Sequence, residues 1–491
     1  MATCAGEGLN TAAKEKLALA SPALAWIQVA RASPYFVTAS GKPWTPVGHN
    51  SAITWPDLSG GFARKDLDGL AAHLRMLAAH GVTCIRLMLE YCRGEHRYLE
   101  QPAGHFKPRM VQYWDDLFRL CERYGLRILL TPFDTFWMWI RWKRHPYNAR
   151  NGGPGKKRSQ LLLCPQTRAA IKNRLAFATE RWGGSGALFA WDLWNEIHPS
   201  YAENSAECFG EFIDDVGGFL RNLETRLHGR AHLQTVSVFS PHMALDSRIA
   251  ETIFRHPALD FANTHFYEEG TIDHPSNTVD PAVATGKLTR EALSQVDLRR
   301  PFFDSEHGPI HTYKDHHKSL PEPFDDEYFR HMQWAHFASG GAGGGMRWPN
   351  RKPHILTEGM HTAQRALADF LPLIDWGNFE RTNLNSELSA EDHDVRLFGC
   401  GDSKQAILWI LRADCIGPKG MLDRDRDPLQ LRLLIPGLRP GNYRITAWNT
   451  MTGAATSEFS VQLSDSGLLC FEAPPVFTDL AFAIRYAGAT G

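Results

Sequence analysis

The sequence predicts an α/β protein, a (β/α)8 barrel followed by a C-terminal antiparallel β-sandwich. From about residue 35, eight short apolar runs alternate with stretches whose apolar residues have helical spacing, and this alternation predicts parallel strand pairing. After about residue 375 the runs become short and alternating, with Gly, Pro, Asn and Asp between them, which is typical of a sandwich. An open doubly wound sheet is the alternative, but no G-x-G-x-x-G follows the first strand.

The eight units of the barrel are predicted in order along the chain. The strands are predicted at 43–50, 82–90, 126–134, 187–196, 233–240, 259–267, 300–308 and 341–349. The helices are predicted at 63–81, 108–125, 166–183, 203–227, 247–255, 289–296, 326–338 and 357–372. Gly81 and Gly125 are predicted C-caps, and Pro108 opens the second helix. A Gly-rich polar loop at 148–160 belongs to a long insertion after the third strand.

The length and charge of the chain bound its organisation and its partners. With 491 residues it is too long for one ordinary core, so we expect an N-terminal extension at 1–34, a catalytic barrel at 35–374 and a sandwich at 375–491. The formal net charge is -1, which offers no electrostatic footprint for nucleic acid or an anionic membrane. No apolar run approaches the roughly 18 residues of a membrane span. We therefore expect no nucleic-acid or membrane partner, and the oligomeric state is left open.

The cysteines and the absence of metal motifs indicate the compartment and the class of chemistry. Nine cysteines, an odd number, form no C-x-x-C pair and mostly lie in apolar segments, which predicts reduced thiols. The N-terminus has no basic region followed by an apolar one, so a cytoplasmic location is expected. There is no H-E-x-x-H or G-x-S-x-G, and "DHHK" at 315–318 has no partner at ligand spacing. We expect no metal and no cofactor.

Polar and aromatic residues mark the carboxyl ends of the predicted strands, where barrels of this kind carry their chemistry. In chain order these residues are His49 and Asn50; Arg86, Glu90 and Tyr91; Asp134 followed by Trp137, Trp139 and Trp142; Asn195 and Glu196; His242; His265 and Tyr267; Glu306 and His307; and Arg347 and Trp348.

Two of these residues, Glu196 and Glu306, end the fourth and seventh strands on opposite sides of the barrel mouth. A charge at the end of a buried strand costs several kcal/mol unless it is paired or used in chemistry. Paired carboxylates across a cleft are what glycoside hydrolysis needs, because one protonates the leaving oxygen and the other attacks the anomeric carbon. A separation of about 5–5.5 Å would mean retention through a covalent intermediate.

The ordered set of strand ends resembles glycoside hydrolase clan A, and most closely family 5, over about residues 35–372. The set comprises Arg on strand 2, Asn-Glu ending strand 4, His-x-Tyr ending strand 6, Glu ending strand 7 and Trp ending strand 8. The resemblance implies that Glu196 is the general acid/base and Glu306 the nucleophile. It also implies a pKa split, with that of Glu196 raised and that of Glu306 kept low.

The same resemblance implies roles for residues around the carboxylate pair. Asn195 would hydrogen-bond the 2-hydroxyl of the sugar, and Trp348 would stack under its ring. Tyr267 would hold Glu306, His265 would line the site, and Arg86 would pair with Glu306 and favour its charged form. Asp134 and Trp137 complete the candidate substrate-binding set.

Two positions depart from the family pattern. Family 5 often has Pro directly after the acid/base, whereas here Ile197-His198-Pro199 follows Glu196. A His is common near the end of strand 3, where this chain has Asp134. Both departures bear on subfamily and substrate.

The predicted activity is retaining hydrolysis of β-linked glycosides, of β-mannan or β-glucan type, by double displacement without a cofactor. The alternatives are a transglycosylase and a non-catalytic glycan-binding barrel. Trp137, Trp139 and Trp142 are either sugar platforms or residues that fold the insertion onto the barrel. The cationic stretch 143–158 either meets an acidic group or is a solvated loop. The insertion at 135–165 is expected to close one end of the cleft, and the sandwich is either a packing support or a carbohydrate-binding module.

Overall fold

In the computed structural model, eight parallel strands form the barrel. The description covers residues 24–91, 98–243, 247–297, 299–310, 319–390, 394–464 and 467–489. The barrel strands are β1 Gly48–Ser51, β2 Cys84–Met88, β3 Arg127–Thr131, β4 Leu188–Asp192, β5 Leu233–Thr235, β6 Ala262–Phe266, β7 Phe302–His307 and β8 Met346–Arg347. They pair in the order β5-β4-β3-β2-β1-β8-β7-β6, and a parallel bridge between Phe239 and His265 links the two ends of this series. The predicted fold class is confirmed.

Eight helical units surround these strands. They are α1 Leu67–Ala79, α2 Pro108–Tyr124, α3 Pro165–Trp182, α4 (Cys208–Phe212, Ile213–Gly217 and Gly218–His228), α5 Ser247–Arg255, α6 Asp280–Gln295, α7 Glu322–Ala338 and α8 Glu358–Phe370. The middle segment of α4 is a π-helix. As predicted, Pro108 opens α2, and Gly125 ends it with a left-handed φ of 75°.

Helix α6 begins nine residues earlier than its predicted start at 289. Its first half lacks the large apolar side chains that reveal helical periodicity, because small residues there lie against the sandwich. A Cβ atom added at Gly286 would lie 2.5 Å from the Phe398 ring. The close approach of the two domains therefore explains the missing sequence signal.

Strand β8 is only two residues long, although the prediction covered 341–349. The preceding Gly-rich run adopts backbone conformations that a strand does not contain, since Gly345 has a φ of 74°. A side chain at Gly343 would collide with the carbonyl oxygen of Pro46, 2.5 Å from the added Cβ. The glycines let the chain turn tightly before Trp348.

The amino end of the barrel is closed by a small three-stranded sheet formed by Ile27–Val29, Phe36–Thr38 and Pro43–Trp44. The Phe36 ring packs edge-on against Phe189 at 5.1 Å and against Phe261 at 5.5 Å. Phe189 lies near the start of β4, and Phe261 directly precedes β6. The opposite, carboxyl end of the barrel remains available for a site.

The C-terminal strands form two antiparallel sheets. The strands are β9 Thr382–Asn383, β10 Ser389–Ala390, β11 Val395–Gly401, β12 Gln405–Arg412, β13 Arg432–Pro436, β14 Gly441–Asn449, β15 Ala454–Leu463, β16 Leu468–Glu472 and β17 Asp479–Gly488. Six pair in the order β9-β11-β12-β17-β14-β15, and three in the order β10-β13-β16. An apolar core of both sheets lies between them.

The sandwich is joined to the barrel by a buried polar network on α7. Arg330 donates to Asp479 at 2.6 Å, and the indole of Trp409 donates to the other oxygen of Asp479 at 3.0 Å. Asp479 is buried, and the Arg330 charge holds its pKa well below the ordinary range. Around this network a single apolar core contains residues of both domains, among them Trp334 and Trp448. This continuous packing fits a supporting role for the sandwich.

Two further properties concern the described residues as a whole. Within the described ranges, none of the helices combines the length and the apolar character needed to cross a bilayer. The cysteines of those ranges are free thiols, and most are buried.

Candidate active site

The two predicted carboxylates meet at the carboxyl end of the barrel. A carboxylate oxygen of Glu196, one of Glu306 and a ring nitrogen of His265 all lie within 4.8 Å of one another. Glu306 belongs to β7, His265 to β6, and Glu196 follows the end of β4 by four residues. The strand geometry thus brings together groups separated by about 110 positions in the sequence.

The backbone of Glu196 is held in a strained conformation. Its φ is 49°, in the left-handed region that non-glycine residues rarely adopt. The neighbouring strand ends support it, because the amide of Asn195 donates to the carbonyl of Phe133 at 2.8 Å and the amide of Glu196 donates to Ser237 Oγ at 3.1 Å. Such strain is typical of functional sites, where surrounding contacts determine the conformation. Here it directs the Glu196 side chain into the mouth of the barrel.

Glu306 has a hydrogen-bond donor on each carboxylate oxygen. The Tyr267 hydroxyl donates to Oε1 at 2.8 Å, and Arg86 Nη1 donates to Oε2 at 2.9 Å. Glu196 differs, since its one side-chain partner among the described contacts is His265 Nδ1, 2.8 Å from Oε1. The two carboxylates therefore have different environments although they share one site.

Arg86 connects Glu306 to the floor of the barrel. Its second terminal nitrogen donates to Asp192 at 2.8 Å and to Asn195 Oδ1 at 2.5 Å, and its first also donates to Asn50 at 3.0 Å. Arg86 and Asp192 are fully buried. The Arg86 charge is thus divided between two carboxylates, Asp192 and Glu306.

Asp192 and Ser237 were missed by the sequence predictions. Ser237 Oγ lies 2.9 Å from Asp192 and accepts the amide of Glu196, so the two residues anchor the backbone of the acid/base candidate. The signal for Asp192 was present in "WDLWNE", as a carboxylate inside an apolar strand that requires a buried cation. Ser237 carries no comparable signal, because a serine in a strand is ordinary.

Asp134 was predicted to bind substrate, and in the structure it positions neighbouring residues of the site. Its carboxylate accepts from Asn195 Nδ2 at 2.6 Å and from the backbone amides of Phe136 and Trp137, which caps the short helix Thr135–Arg141. The amide group of Asn195 has two hydrogens, so one remains for a ligand in the cavity that Asn195 lines.

The proton states of the site follow from burial. Burial raises the pKa of Glu196 to about 7, and burial also raises the pKa of Glu306 to about 7. The pKa of His265 is lowered to about 4, chiefly by burial, so the ring is neutral near pH 7. The predicted low pKa of Glu306 is therefore wrong, because desolvation outweighs an Arg86 charge that is shared with Asp192.

Two interacting carboxyls with raised pKa values hold one proton between them near neutral pH. The donors around Glu306 stabilise its ionised form, whereas Glu196 faces a neutral ring. These contacts favour Glu196 as the carboxyl that carries the proton. The raised pKa predicted for Glu196 is present, but the predicted split is not, since both carboxyls have a pKa of about 7.

A cavity of about 550 Å³ lies above the pair and is walled largely by apolar side chains. Trp137, Trp139 and Trp348 line it, as do Tyr267, Asp134 and both glutamates. Trp348 is wedged edge-on against Trp55 at 5.0 Å, which fixes its ring at the mouth. Trp142 does not line the cavity; it stacks on His145, with ring centroids 6.2 Å apart, and so serves the folding of the insertion.

Several strand-end residues belong to structural networks instead of the site. His49 bonds Gln364, Glu90 bonds His145 and Arg174, His307 bonds Asp304, and Arg347 bonds Asp325. The stretch 315–318 lies outside the described residues, as does the side chain of His242.

The carboxylate site does not suit a metal ion. Glu196, His265 and Glu306 are close enough to offer three ligand atoms. However, both oxygens of Glu306 already accept hydrogen bonds, and one of these comes from the positive charge of Arg86. A cation at this point would be repelled by Arg86 at short range.

Comparison with known proteins places the fold. No protein-family model and no curated protein sequence matches the chain. A glycoside hydrolase family 5 structure from Bacteroides vulgatus is similar over 94% of this chain and 94% of its own, with a TM-score of 0.63 and 11% identity. A structure described as a glycoside hydrolase has a TM-score of 0.63 and 12% identity, over 94% and 97% of the two chains.

A third structure, a putative glycoside hydrolase from Bacteroides vulgatus, has a TM-score of 0.56 and 12% identity, covering 94% of this chain and 82% of its own. These similarities extend over both the barrel and the sandwich. They confirm the resemblance to family 5 as a likeness of fold.

Proposed function

We propose that this protein is a retaining β-glycosidase that uses Glu306 as nucleophile and Glu196 as general acid/base. The observation that carries the proposal is the pair itself, two carboxylates with oxygens within 4.8 Å of each other and unequal hydrogen-bond partners. Retaining enzymes place their carboxyl groups about 5–5.5 Å apart, whereas inverting enzymes separate them by about 6.5–9.5 Å to admit a water. The short separation supports retention.

In the first step the glycosidic bond is exchanged for a bond to the enzyme. Glu196 gives its proton to the leaving oxygen while Glu306 attacks the anomeric carbon. Arg86 and Tyr267 orient Glu306 and keep it ionised until it reacts. The remaining amide hydrogen of Asn195 is placed to contact the sugar, and the fixed ring of Trp348 supplies an apolar face for it.

In the second step the glycosyl-enzyme is hydrolysed. Glu196, now ionised, takes a proton from water as the water attacks the anomeric carbon and releases Glu306. His265 suits both states of Glu196, since its Nδ1 accepts from the acid and, in the other tautomer, donates to the carboxylate. Its Nε2 lies 3.2 Å from Ser305 Oγ, a hydroxyl able to donate or accept as the tautomer requires.

The proposal is tested by hydrolysis of aryl β-glucosides and β-mannosides, with β-glucan and β-mannan as polymeric substrates. Proton NMR of the first product then identifies its anomer. Release of the β-anomer is expected, and an initial α-product would contradict retention. Products extended by an added acceptor sugar would reveal transglycosylation, and binding without turnover would indicate a glycan-binding barrel.

Matched glutamine variants separate chemistry from stability. Glu306→Gln is expected to remove hydrolysis without a change of side-chain size. Glu224→Gln is the control, because Glu224 is also buried but bonds Trp191 and His232 away from the cavity. Equal loss of activity in both variants would mean that the effect comes from disturbed folding.

A further inference from the structure

The segment that forms one wall of the cavity carries a concentrated positive charge. Residues 135–163 contain seven Lys and Arg and no Asp or Glu, although the whole chain has a formal net charge of -1. Lys143, Arg150, Lys156 and Lys157 are exposed. The near-neutral net charge of the whole chain, which led to the prediction of no membrane partner, does not reveal this local cluster.

The same segment exposes large apolar side chains at the cavity mouth. On the short helix Thr135–Arg141, Phe136 is 38% exposed, Trp139 is 39% exposed and Ile140 is 53% exposed. All three also line the cavity above the carboxylate pair. The apolar surface is therefore continuous from the interior of the site to the outside of the protein.

The charge and the apolar surface lie together. The Arg158 guanidinium is 4.1 Å from the centre of the Trp139 ring and donates to the Trp139 carbonyl at 3.1 Å. The basic loop is thereby folded onto the aromatic rim. Exposed aromatic and aliphatic side chains bordered by Lys and Arg are the pattern of proteins that lie on anionic lipid surfaces.

The cavity lining includes aliphatic as well as aromatic side chains. Sugars bind through hydrogen bonds and by stacking on aromatic rings, but Met88, Ile140 and Ile310 offer neither. Among the described residues of the cavity, Glu196, Glu306, Asp134 and Asn195 lie at the reacting pair, and His198 lies beside Trp139. The aliphatic side chains suit an alkyl chain that leads away from the sugar.

We propose that the substrate is a β-glycoside with a lipid aglycone, taken from an anionic lipid surface that the rim formed by Phe136, Trp139, Ile140 and the cationic segment 143–158 contacts. This substrate class rests on the proposed function, since the sugar would be cleaved by Glu196 and Glu306. The aglycone lies along the apolar wall, and the lysines of the rim contact lipid phosphates.

Membrane contact is measured by flotation with vesicles of phosphatidylcholine, with or without phosphatidylserine. The full chain is expected to float with the anionic vesicles and to dissociate as salt rises to about 0.5 M. Lys143→Gln, Lys156→Gln and Lys157→Gln combined should lower the partition coefficient on the order of 100-fold, at about fivefold for each lysine. Lys42, Lys287 and Lys404, exposed elsewhere, are changed to Gln in the matched control.

The apolar contact is tested in the same assay. Ile140→Ser should reduce vesicle binding, whereas Ile416→Ser, an exposed isoleucine of the C-terminal region at 39%, should leave it unchanged. Absence of flotation by the wild-type chain, or equal loss in the lysine variant and its control, would overturn the membrane contact.

The aglycone is tested with alkyl β-glycosides of increasing chain length, all below their micellar concentrations. Each buried methylene should raise kcat/KM about fourfold, so burial of even three of the seven methylenes added from methyl to octyl gives about 60-fold. Equal rates for methyl and octyl glycosides would overturn the lipid aglycone. Soluble aryl β-glycosides keep the two proposals apart, because their hydrolysis alone would uphold the glycosidase and reject the lipid substrate.

Discussion

Removing the hydroxyl of Tyr267 tests whether hydrogen-bond donors keep Glu306 ready as a nucleophile. The hydroxyl donates to Glu306 Oε1 at 2.8 Å, and both side chains are buried. A hydrogen bond to a charged group contributes about 1.5–3 kcal/mol. At about 1.4 kcal/mol per factor of ten, Tyr267→Phe should reduce kcat/KM by about 10- to 150-fold.

The same change should move the pH profile. The Tyr267 hydroxyl favours the ionised form of Glu306, so its removal raises the pKa further above the ordinary value. The acid limb of kcat/KM against pH should shift upward by about 1–2 pH units. The position of the acid limb reports the apparent pKa of the coupled pair of carboxyls. Tyr267→Phe shifts this pKa because Glu306 loses a hydrogen-bond donor.

The measurement is kcat/KM of an aryl β-glycoside across the pH range, with thermal unfolding measured in parallel. Tyr328→Phe is the control, since this buried hydroxyl donates to the Ile272 carbonyl at 2.9 Å. It should leave both the rate and the acid limb unchanged. An acid limb at the wild-type position in Tyr267→Phe would refute the assigned role of the hydrogen bond.

Three further predictions follow from the buried charges. Glu196→Ala and Glu306→Ala should each abolish turnover, and full activity of either variant in hydrolysis assays would reject the assignment. Asp192→Asn should lower the pKa of Glu196, because the Asp192 charge raises it. The alkaline limb of the profile of kcat/KM against pH should therefore shift to lower pH. An alkaline limb at the wild-type position would disprove this effect. Asp479→Asn should cost about 3–5 kcal/mol of unfolding free energy, whereas the partly exposed Asp414→Asn should cost less than about 1 kcal/mol in the same denaturant titration.

The pH dependence of the Asp479 contribution has a defined sign. The pKa of Asp479 is depressed in the folded protein, so its stabilisation is present above the unfolded pKa and is lost as the pH falls into the acid range.

The sequence was most informative about the strand ends, because the carboxyl ends of all barrel strands meet at one face. Short apolar runs with helical stretches between them predicted all eight barrel strands, and the strand ends brought Glu196 and Glu306 to one face. Their spatial meeting follows from topology alone. By contrast, the start of α6 and the length of β8 depended on close contacts of Gly286 and Gly343, which no local pattern contains.

The hydrogen-bond partners of the site were partly predictable. The resemblance to family 5 implied that Arg86 and Tyr267 each pair with Glu306, and both contacts are present. The division of Arg86 between Glu306 and Asp192 was not predicted, because it depends on the depth to which each side chain reaches in the barrel. Burial raises the pKa of Glu306, and the Arg86 charge, shared with Asp192, does not offset it.

The departure "IHP" after Glu196 has a structural consequence at the mouth. The buried Ile197 donates its amide to the Ser237 carbonyl at 3.0 Å, which continues the anchoring of the strained Glu196 backbone. The extra length carries His198 to the cavity wall, with its ring 5.7 Å from that of Trp139. A proline in place of Ile197 would remove the amide donor that Ile197 supplies. It would also turn the chain away from this wall at an earlier residue. The unusual motif and the unusual aromatic insertion therefore build the same side of the cavity, the side on which we propose that the aglycone lies.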